Sequence, residues 1–210
     1  MYKRQFKNIK LNDEWNVKEL CHVFKDKRKV MVRADLPGCG KSFACNHMAK
    51  LGHKVLFVCP TNELLQNYNL DGVTQNRFFG LSMDDEDSHK KFDCDEYDVI
   101  VFDEIYFSSI QKLSKIKKFC IENPNKIIIA TGDTSQLEPI SEYTNTKNYE
   151  AYADECVNQV FPFGIYLEEN KRLESEEDKL KLKQFKQDIF DERIDIITTI
   201  KKSIFHLLKI

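Results

Sequence analysis

The sequence "ADLPGCGKS", residues 34–42, decides the fold, because its last five residues have the pattern of a phosphate-binding loop. In such a loop the backbone N–H groups at the start of a helix surround the phosphates, and glycines leave room for that approach. Lys41 is placed to reach the β- and γ-phosphates of ATP, and the Ser42 hydroxyl is placed to ligate Mg²⁺. The predicted nucleotide-binding residues are Leu36, Pro37, Gly38, Cys39, Gly40, Lys41 and Ser42.

One residue of this loop departs from the usual pattern. Asp35 stands where GxxxxGK[ST] has its first glycine. Aspartate tolerates left-handed backbone geometry better than most residues, so the turn is still expected to form. The alternative interpretation of the loop is a tight strand-to-helix turn that needs glycines and binds no ligand.

The chain around the loop alternates strand and helix patterns. Short apolar runs rich in β-branched residues occupy 30–32, 55–58, 99–102, 127–130 and, more weakly, 164–167. Such runs are typical of strands buried on both faces of a parallel sheet. Helical patterns over 43–52, 61–69, 107–122 and 149–159 lie between them. These patterns predict an α/β fold, with a mainly parallel open sheet and helices on both faces.

The composition indicates one full domain with a substantial core, since 41% of the 210 residues are hydrophobic and 31% are charged. The net charge of -2 gives no global electrostatic argument for nucleic-acid binding, so such a site requires a local groove. Seven cysteines, never spaced CxxC, favour neither a disulfide framework nor a zinc site. We therefore expect an intracellular protein, cytoplasmic or nuclear. With no apolar run long enough for a signal peptide or a bilayer span, no membrane partner is expected.

A second motif supports the nucleotide interpretation. In "VIVFDE", residues 99–104, four apolar strand residues precede two acids. A P-loop ATPase needs one carboxylate at the end of a neighbouring strand for the Mg²⁺ shell and another to polarise the attacking water. Asp103 and Glu104 suit those roles in that order. Acids are common at strand ends, but two coupled motifs in this chain order favour an ATP-hydrolysing site.

A third motif carries the resemblance to a family. The segment "IATGDTSQLEPI", residues 129–140, runs from a strand into a glycine turn, and places the Gln136 amide to contact a γ-phosphate. "GDTSQLEPI" resembles the third motif, GDxxQLxPI, of superfamily 1 helicases, most closely their RecD-like branch. The resemblance implies a RecA-like motor domain over residues 1–172 that couples ATP hydrolysis to movement on single-stranded DNA or RNA. The "PGCGK" loop is also similar to that of RNA-virus helicases, so a viral or mobile-element setting is an open expectation.

The same resemblance implies the nucleic-acid-binding residues. "VLFVCPTNELLQNY" (55–68) resembles the motif after the second strand of this family, in which Pro60, Thr61 and Asn62 would contact phosphates. "GVTQNRFFGL" (72–81) is similar to the TxxxxL segment of the branch, in which Thr74 and Arg77 would contact the backbone. The neighbouring phenylalanines, 78 and 79, are either stacking faces for bases or core residues.

The end of the chain carries one further site residue and the main departures from the family. "YLEENKRLES" (166–175) resembles the segment with the arginine finger, which implies Arg172 in that role, with Lys171 as the alternative. Trp15 stands where family members have the glutamine that reads adenine. No later motif of a second motor domain is recognised within residues 1–210, so the resemblance implies the first motor domain only. Residues 173–210 have a helical pattern and would be a helical tail or the start of that second domain. Their apolar residues over 180–197 are expected to form a face that needs a partner, and a second polypeptide is one candidate.

Three functions compete on this sequence. The first is a nucleic-acid-dependent ATPase, the first motor half of a helicase. The second is a switch module that binds a nucleotide and a nucleic acid or protein without productive unwinding. A small-molecule kinase is disfavoured, because no arginine-rich lid is found and the Glu104 carboxylate suits hydrolysis by water.

Overall fold

The seven strands of the described chain form one sheet. The structure, a computed structural model, describes residues 7–9, 17–34, 38–66, 68–82, 89–132, 149–167, 173 and 175–190. The strands are β1 (Lys7–Ile9), β2 (Lys29–Arg33), β3 (Val55–Cys59), β4 (Gly72–Thr74), β5 (Val99–Phe102), β6 (Ile127–Gly132) and β7 (Phe163–Tyr166). Their order is β1-β7-β2-β6-β5-β3-β4, and every pair is parallel.

Parallel pairing brings the carboxyl ends of all strands to one edge of the sheet, where ligands of open α/β sheets bind. The central strands β2, β6, β5 and β3 are adjacent, and Phe102 pairs with Ala130. This register sets Asp103, the residue after β5, beside Thr131 of β6.

Seven α-helices are present in the described residues, and those of the unit that contains the sheet pack on it. The seven are α1 (Val17–Lys27), α2 (Lys41–Lys50), α3 (Asn62–Leu65), α4 (Gln75–Phe79), α5 (Ile110–Glu122), α6 (Tyr149–Val160) and α7 (Glu176–Phe190). Helices α1 and α2 pack together and contact β6. Helices α5 and α6 also pack together, over the core cluster that includes Ile100 and Phe102. Because successive strand residues point to opposite faces, the fully buried Val99 and Val101 face the other layer.

All five predicted strands are present, and both strands that the sequence did not predict are at the edges of the sheet. β1 and β4 have three residues each, too few for the continuous apolar run that marks a buried strand. Helices α1 and α4 were also not predicted. The predicted helix over 61–69 is wrong in length, since α3 ends at Leu65. The chain must turn there to enter β4, where Gly72 lies against the Leu65 side chain.

Two compact units are distinguished within the chain. One comprises residues 1–35 and 40–167 and contains the whole sheet, and the other comprises residues 36–39 and 168–210 and contains α7. The predicted boundary at 172/173 adjoins residues outside the described part and stays a prediction. Helix α7 confirms the predicted helical tail over 176–190, and Leu180 on it is 66% exposed. None of the described helices combines the length and apolar composition that crossing a membrane requires.

Candidate functional site

The phosphate-binding loop lies between β2 and α2, as its sequence predicts. Gly40 has φ 89° and directly precedes Lys41, the first residue of α2. Gly38 is also left-handed, with φ 82°. Residues other than glycine rarely adopt this backbone conformation, so the turn into the helix depends on both glycines. Cys39 between them is buried.

The lysine of the loop and the predicted catalytic glutamate lie close to each other. Lys41 Nζ is 4.0 Å from Glu104 Oε1, and the two side chains are only 10% and 21% exposed. Glu104 follows β5 with φ 48°, one of two non-glycine residues with positive φ among those described. A left-handed backbone at a non-glycine residue is strained, and such strain is concentrated at functional sites. The Glu104 N–H donates to Thr131 Oγ1 at 3.4 Å.

Asp103 is held in place from three sides. It is 2% exposed, and its N–H donates to the Val58 carbonyl at 3.1 Å. The Thr131 hydroxyl donates to Asp103 Oδ1, and the Tyr68 hydroxyl donates to Asp103 Oδ2. Buried carboxylates need such donors, because removal from water is costly without them. The carboxylate is therefore fixed at the carboxyl-end edge of the sheet.

Tyr68 joins Asp103 to the loop. Its hydroxyl oxygen lies 3.1 Å from Ser42 Oγ, within hydrogen-bond distance, while its ring stacks on Phe57 at a centroid distance of 4.0 Å. Burial, with the Asp103 charge as the second cause, raises the pKa of Tyr68 above its ordinary value. The phenol therefore stays protonated and keeps a proton to donate.

The donors at this point fit Mg²⁺. A hydroxyl and a carboxylate are hard oxygen ligands, and Mg²⁺ in phosphate-binding sites keeps waters and takes only one or two protein oxygens. Ser42 and Asp103 converge on a single atom, the Tyr68 hydroxyl oxygen. Among the described residues no group of three or more His, Cys, Asp or Glu converges as a metal site. Ser42 and Asp103 are thus the pair that fits a metal bound mainly by phosphate and water.

Two residues of this site were not predicted as functional, Thr131 and Tyr68. The role of Thr131 could be predicted once β6 is known to pair with β5. A polar residue near the end of β6 then lies beside the acid that follows β5. Tyr68 carries no such signal. It lies three residues beyond α3, and only the folded chain shows that its ring reaches Phe57 and its hydroxyl reaches Asp103.

Several predicted site residues lie outside the described residues. They are Leu36, Pro37, Gln136 and Arg172. Their roles rest on the sequence alone and remain predictions.

The predicted nucleic-acid residues gather at the β3–β4 side of the sheet. Asn62, Thr74 and Arg77 line one cavity of about 390 Å³. Pro60 and Thr61 follow β3 directly and are partly exposed. Two polar residues, Asp71 and Tyr97, also line the cavity.

The two predicted threonines also begin helices. Thr61 Oγ1 accepts from the Leu64 N–H at 3.4 Å, and Thr74 Oγ1 accepts from the Arg77 N–H at 3.3 Å. These are N-caps of α3 and α4. The hydroxyl protons do not take part in the cap bonds, so a capping threonine can still donate to a phosphate.

The phenylalanines of this segment belong to the core. Phe78 and Phe79 are buried and pack edge to face, with ring centroids 5.0 Å apart. Both rings also contact Phe102 of β5. The stacking role considered for them is therefore wrong, and the core interpretation is correct for both.

The family of this chain follows from its sequence match. The model of the viral superfamily 1 RNA helicase core domain matches residues 36–205. This chain belongs to that family. The match spans the phosphate-binding loop, the strand-end acids and the "GDTSQLEPI" segment, so the predicted superfamily 1 membership is confirmed. No curated protein sequence matches the chain.

Solved helicase structures share the fold of this helicase core domain. A Pif1 helicase from Bacteroides, in complex with ADP-AlF3 and ssDNA, matches with a TM-score of 0.62 at 18% identity, over 85% of this chain and 47% of that one. The Pif1 helicase from Candida albicans matches with a TM-score of 0.61 at 17% identity, over 85% of this chain and 44% of that one. The chain thus spans less than half the length of these helicases. The predicted RecA-like α/β fold is confirmed.

Proposed function

We propose that this helicase core domain binds ATP with Mg²⁺ and hydrolyses it in response to single-stranded nucleic acid, as the first motor half of a helicase. One observation carries the proposal. Lys41, Ser42, Asp103 and Glu104, which come from the loop and from the end of β5, converge at one edge of the sheet. The two segments are about sixty residues apart in sequence. A turn with a purely structural role gives no reason for them to bring these four groups together.

Each of the four residues has a distinct role in the proposal. Lys41 binds the β- and γ-phosphates. In the structure its negatively charged partner is Glu104, whose carboxylate stands in for the phosphates. Ser42 and Asp103 would hold Mg²⁺, which when bound neutralises charge on the phosphate oxygens. Glu104 accepts a hydrogen bond from the attacking water and orients it toward the γ-phosphate. Its position next to Lys41 places it near the phosphates that the lysine would bind.

Two further residues complete the proposed chemistry on the ground of the sequence resemblance. Gln136 contacts the γ-phosphate through its amide, and Arg172 neutralises the charge that develops during transfer. A single arginine in this role is worth about 10³-fold or more in rate. Arg172 is the one such arginine the resemblance identifies, so we infer that this chain alone hydrolyses ATP slowly.

Nucleic acid is proposed to bind at the carboxyl ends of β3 and β4. Pro60, Thr61, Asn62, Thr74 and Arg77 lie in the two segments that follow these strands. The cavity lined by Asn62, Thr74 and Arg77 is a local groove at this place, with Arg77 as its cation and Asp71 as its acid. The Bacteroides Pif1 structure with ssDNA supports single-stranded nucleic acid as the ligand class. The phosphate-release experiment uses both single-stranded DNA and single-stranded RNA to distinguish these two ligands.

Unwinding is proposed to need a second motor domain. Translocation requires two domains that open and close on the strand, and the helicases matched above are about twice as long as the matched region. A second polypeptide with the later motifs would supply that domain, and the apolar residues over 180–197 would contact it. The 210-residue chain by itself is expected to show no ATP-driven unwinding.

The deciding experiment measures phosphate release and nucleotide binding together. The wild-type chain is assayed with Mg²⁺-ATP alone, with single-stranded DNA and with single-stranded RNA. We expect slow release that at least one nucleic acid stimulates, and none in Glu104→Gln. Lys41→Ala should weaken binding of a fluorescent ATP analogue by at least about tenfold, or about 1.4 kcal/mol. Lys50→Ala, at the exposed end of the same helix, is the matched control.

The outcomes separate the two functions. Equal analogue binding by the wild type and Lys41→Ala would overturn the site assignment. Normal binding with no phosphate release under any condition would instead identify the nucleotide-dependent switch module.

A further inference from the structure

Tyr68 contacts both residues that are proposed to hold Mg²⁺. Its hydroxyl oxygen lies 3.1 Å from Ser42 Oγ and is hydrogen-bonded to Asp103 Oδ2. A third oxygen atom therefore stands between the two proposed ligands. Neither the strand-end acids nor the loop motif requires a tyrosine there, and its position follows from its ring stacking on Phe57.

A phenol and a hydrated metal do not fit this place together. Mg²⁺ takes oxygens at about 2.0–2.1 Å in near-octahedral geometry and keeps several waters. Ser42 and Asp103 would hold such a shell, and the Tyr68 hydroxyl already contacts both of them. Tyr68 would therefore have to give up these two contacts for the pair to hold the metal.

We propose that Tyr68 is a gate residue of the metal site, whose hydroxyl competes with Mg²⁺ for Ser42 and Asp103 and leaves when Mg²⁺-nucleotide binds. This inference rests on the proposed function, because it needs the Mg²⁺-nucleotide site. It adds a residue outside the loop and strand-end motifs, and a step, the departure of the tyrosine, that precedes assembly of the complete site.

The surroundings of Tyr68 are consistent with a side chain that can leave. Its ring is held on one side by Phe57, which is fully buried in β3 and does not need to move. Its N–H donates to the Leu65 carbonyl at 3.1 Å, in the short segment between α3 and β4. The side chain is only partly buried, so an outward rotation exposes one ring and gives up its stacking on Phe57.

The test compares the wild type with Tyr68→Phe, which keeps the ring and removes the hydroxyl. A non-hydrolysable fluorescent ATP analogue is titrated in Mg²⁺ and in EDTA. Because one competing hydrogen-bonded group is gone, we expect about twofold to tenfold tighter binding in Mg²⁺ and no change in EDTA. Tyr106→Phe is the matched control, since its hydroxyl also donates to a carboxylate, that of Asp154. It should leave both affinities unchanged.

The outcomes distinguish the gate from the site itself. Wild-type binding that does not depend on Mg²⁺ would overturn the proposed function. Mg²⁺-dependent binding in the wild type with equal or weaker binding in Tyr68→Phe would overturn only the gate.

A second measurement uses the unchanged protein, in case the variant fails to fold. Amide hydrogen exchange of the peptide that carries Tyr68 is compared with the analogue in Mg²⁺ and in EDTA. Departure of the side chain from its partners should speed exchange in Mg²⁺ relative to EDTA. Equal exchange, or slower exchange in Mg²⁺, would contradict the gate.

Discussion

Thr131, near the end of β6, donates its hydroxyl proton to Asp103, which follows the neighbouring strand β5, and both side chains are buried. The same hydroxyl oxygen accepts from the Glu104 N–H at 3.4 Å. One threonine therefore orients the proposed metal-binding acid and supports the left-handed backbone of the proposed catalytic acid. Thr131 thus contacts both acids through one hydroxyl group.

Thr131→Val should lower the free energy of unfolding by about 1–3 kcal/mol, because it leaves a buried carboxylate oxygen and a backbone N–H without these partners. Urea denaturation measures this change. Thr131→Ser, which keeps the hydroxyl, is the control and should stay closer to the wild type. Equal stability of the valine variant and the wild type would show that the hydroxyl does not support the acids.

The centre of the sheet was predictable from the sequence, and its edges were not. The β5 sequence is buried on both faces, so its four apolar residues mark it without any structural information. β4 has one buried residue, Val73, and its glycine lies against the Leu65 side chain, whose Cδ2 would be 2.7 Å from an added Cβ. No periodicity records such a contact. For the same reason Tyr68 was not predicted as part of the site, while Lys41 and Asp103 were.

Gly80 and Gly52 form a matched pair for a second prediction. Both have left-handed φ, 70° and 88°, but an added Cβ would lie 2.2 Å from the His89 carbonyl oxygen at Gly80 and meets nothing within 4 Å at Gly52. Gly52→Ala should lower the free energy of unfolding by about 1 kcal/mol, because of the backbone conformation alone. Gly80→Ala should cost about 1–3 kcal/mol more, because the backbone at His89 must move. Equal unfolding midpoints for the two variants would contradict this difference.

Buried thiols provide a third prediction. Burial, with the nearby Asp103 and Glu104 charges, raises the pKa of the Cys59 thiol to about 12, and burial raises the pKa of Cys120 to about 12. At pH 8 neither should react with iodoacetamide in the folded protein, since the thiolate is the nucleophile. The partly exposed Cys156 should react first. Mass spectrometry of the peptides, with a urea-denatured sample as control, measures the labelling.

The same two thiols predict how stability depends on pH. An unfolded thiol loses its proton near its ordinary pKa of 9.0, whereas the folded thiols lose theirs near 12. Between these values the unfolded state binds fewer protons, so the free energy of unfolding falls as the pH rises above about 9. Replacing Cys59 and Cys120 by alanine should flatten this part of the profile. An unchanged slope would contradict the assignment.

The last prediction concerns Arg77, which is exposed on α4 and lines the cavity with Asn62 and Thr74. If it contacts a phosphate of single-stranded nucleic acid, binding should weaken strongly with salt, because each neutralised phosphate releases a counterion. Arg77→Ala should then lower the affinity for all sequences alike and reduce the slope of log K against log salt by about 0.7, the value for one contact on a single strand. Lys118→Ala, which removes an exposed cation from α5, should change neither quantity. Fluorescence anisotropy of labelled DNA and RNA oligonucleotides between low and moderate salt measures both. An unchanged slope in Arg77→Ala, or an equal loss in Lys118→Ala, would show that phosphate contacts are made elsewhere on the domain.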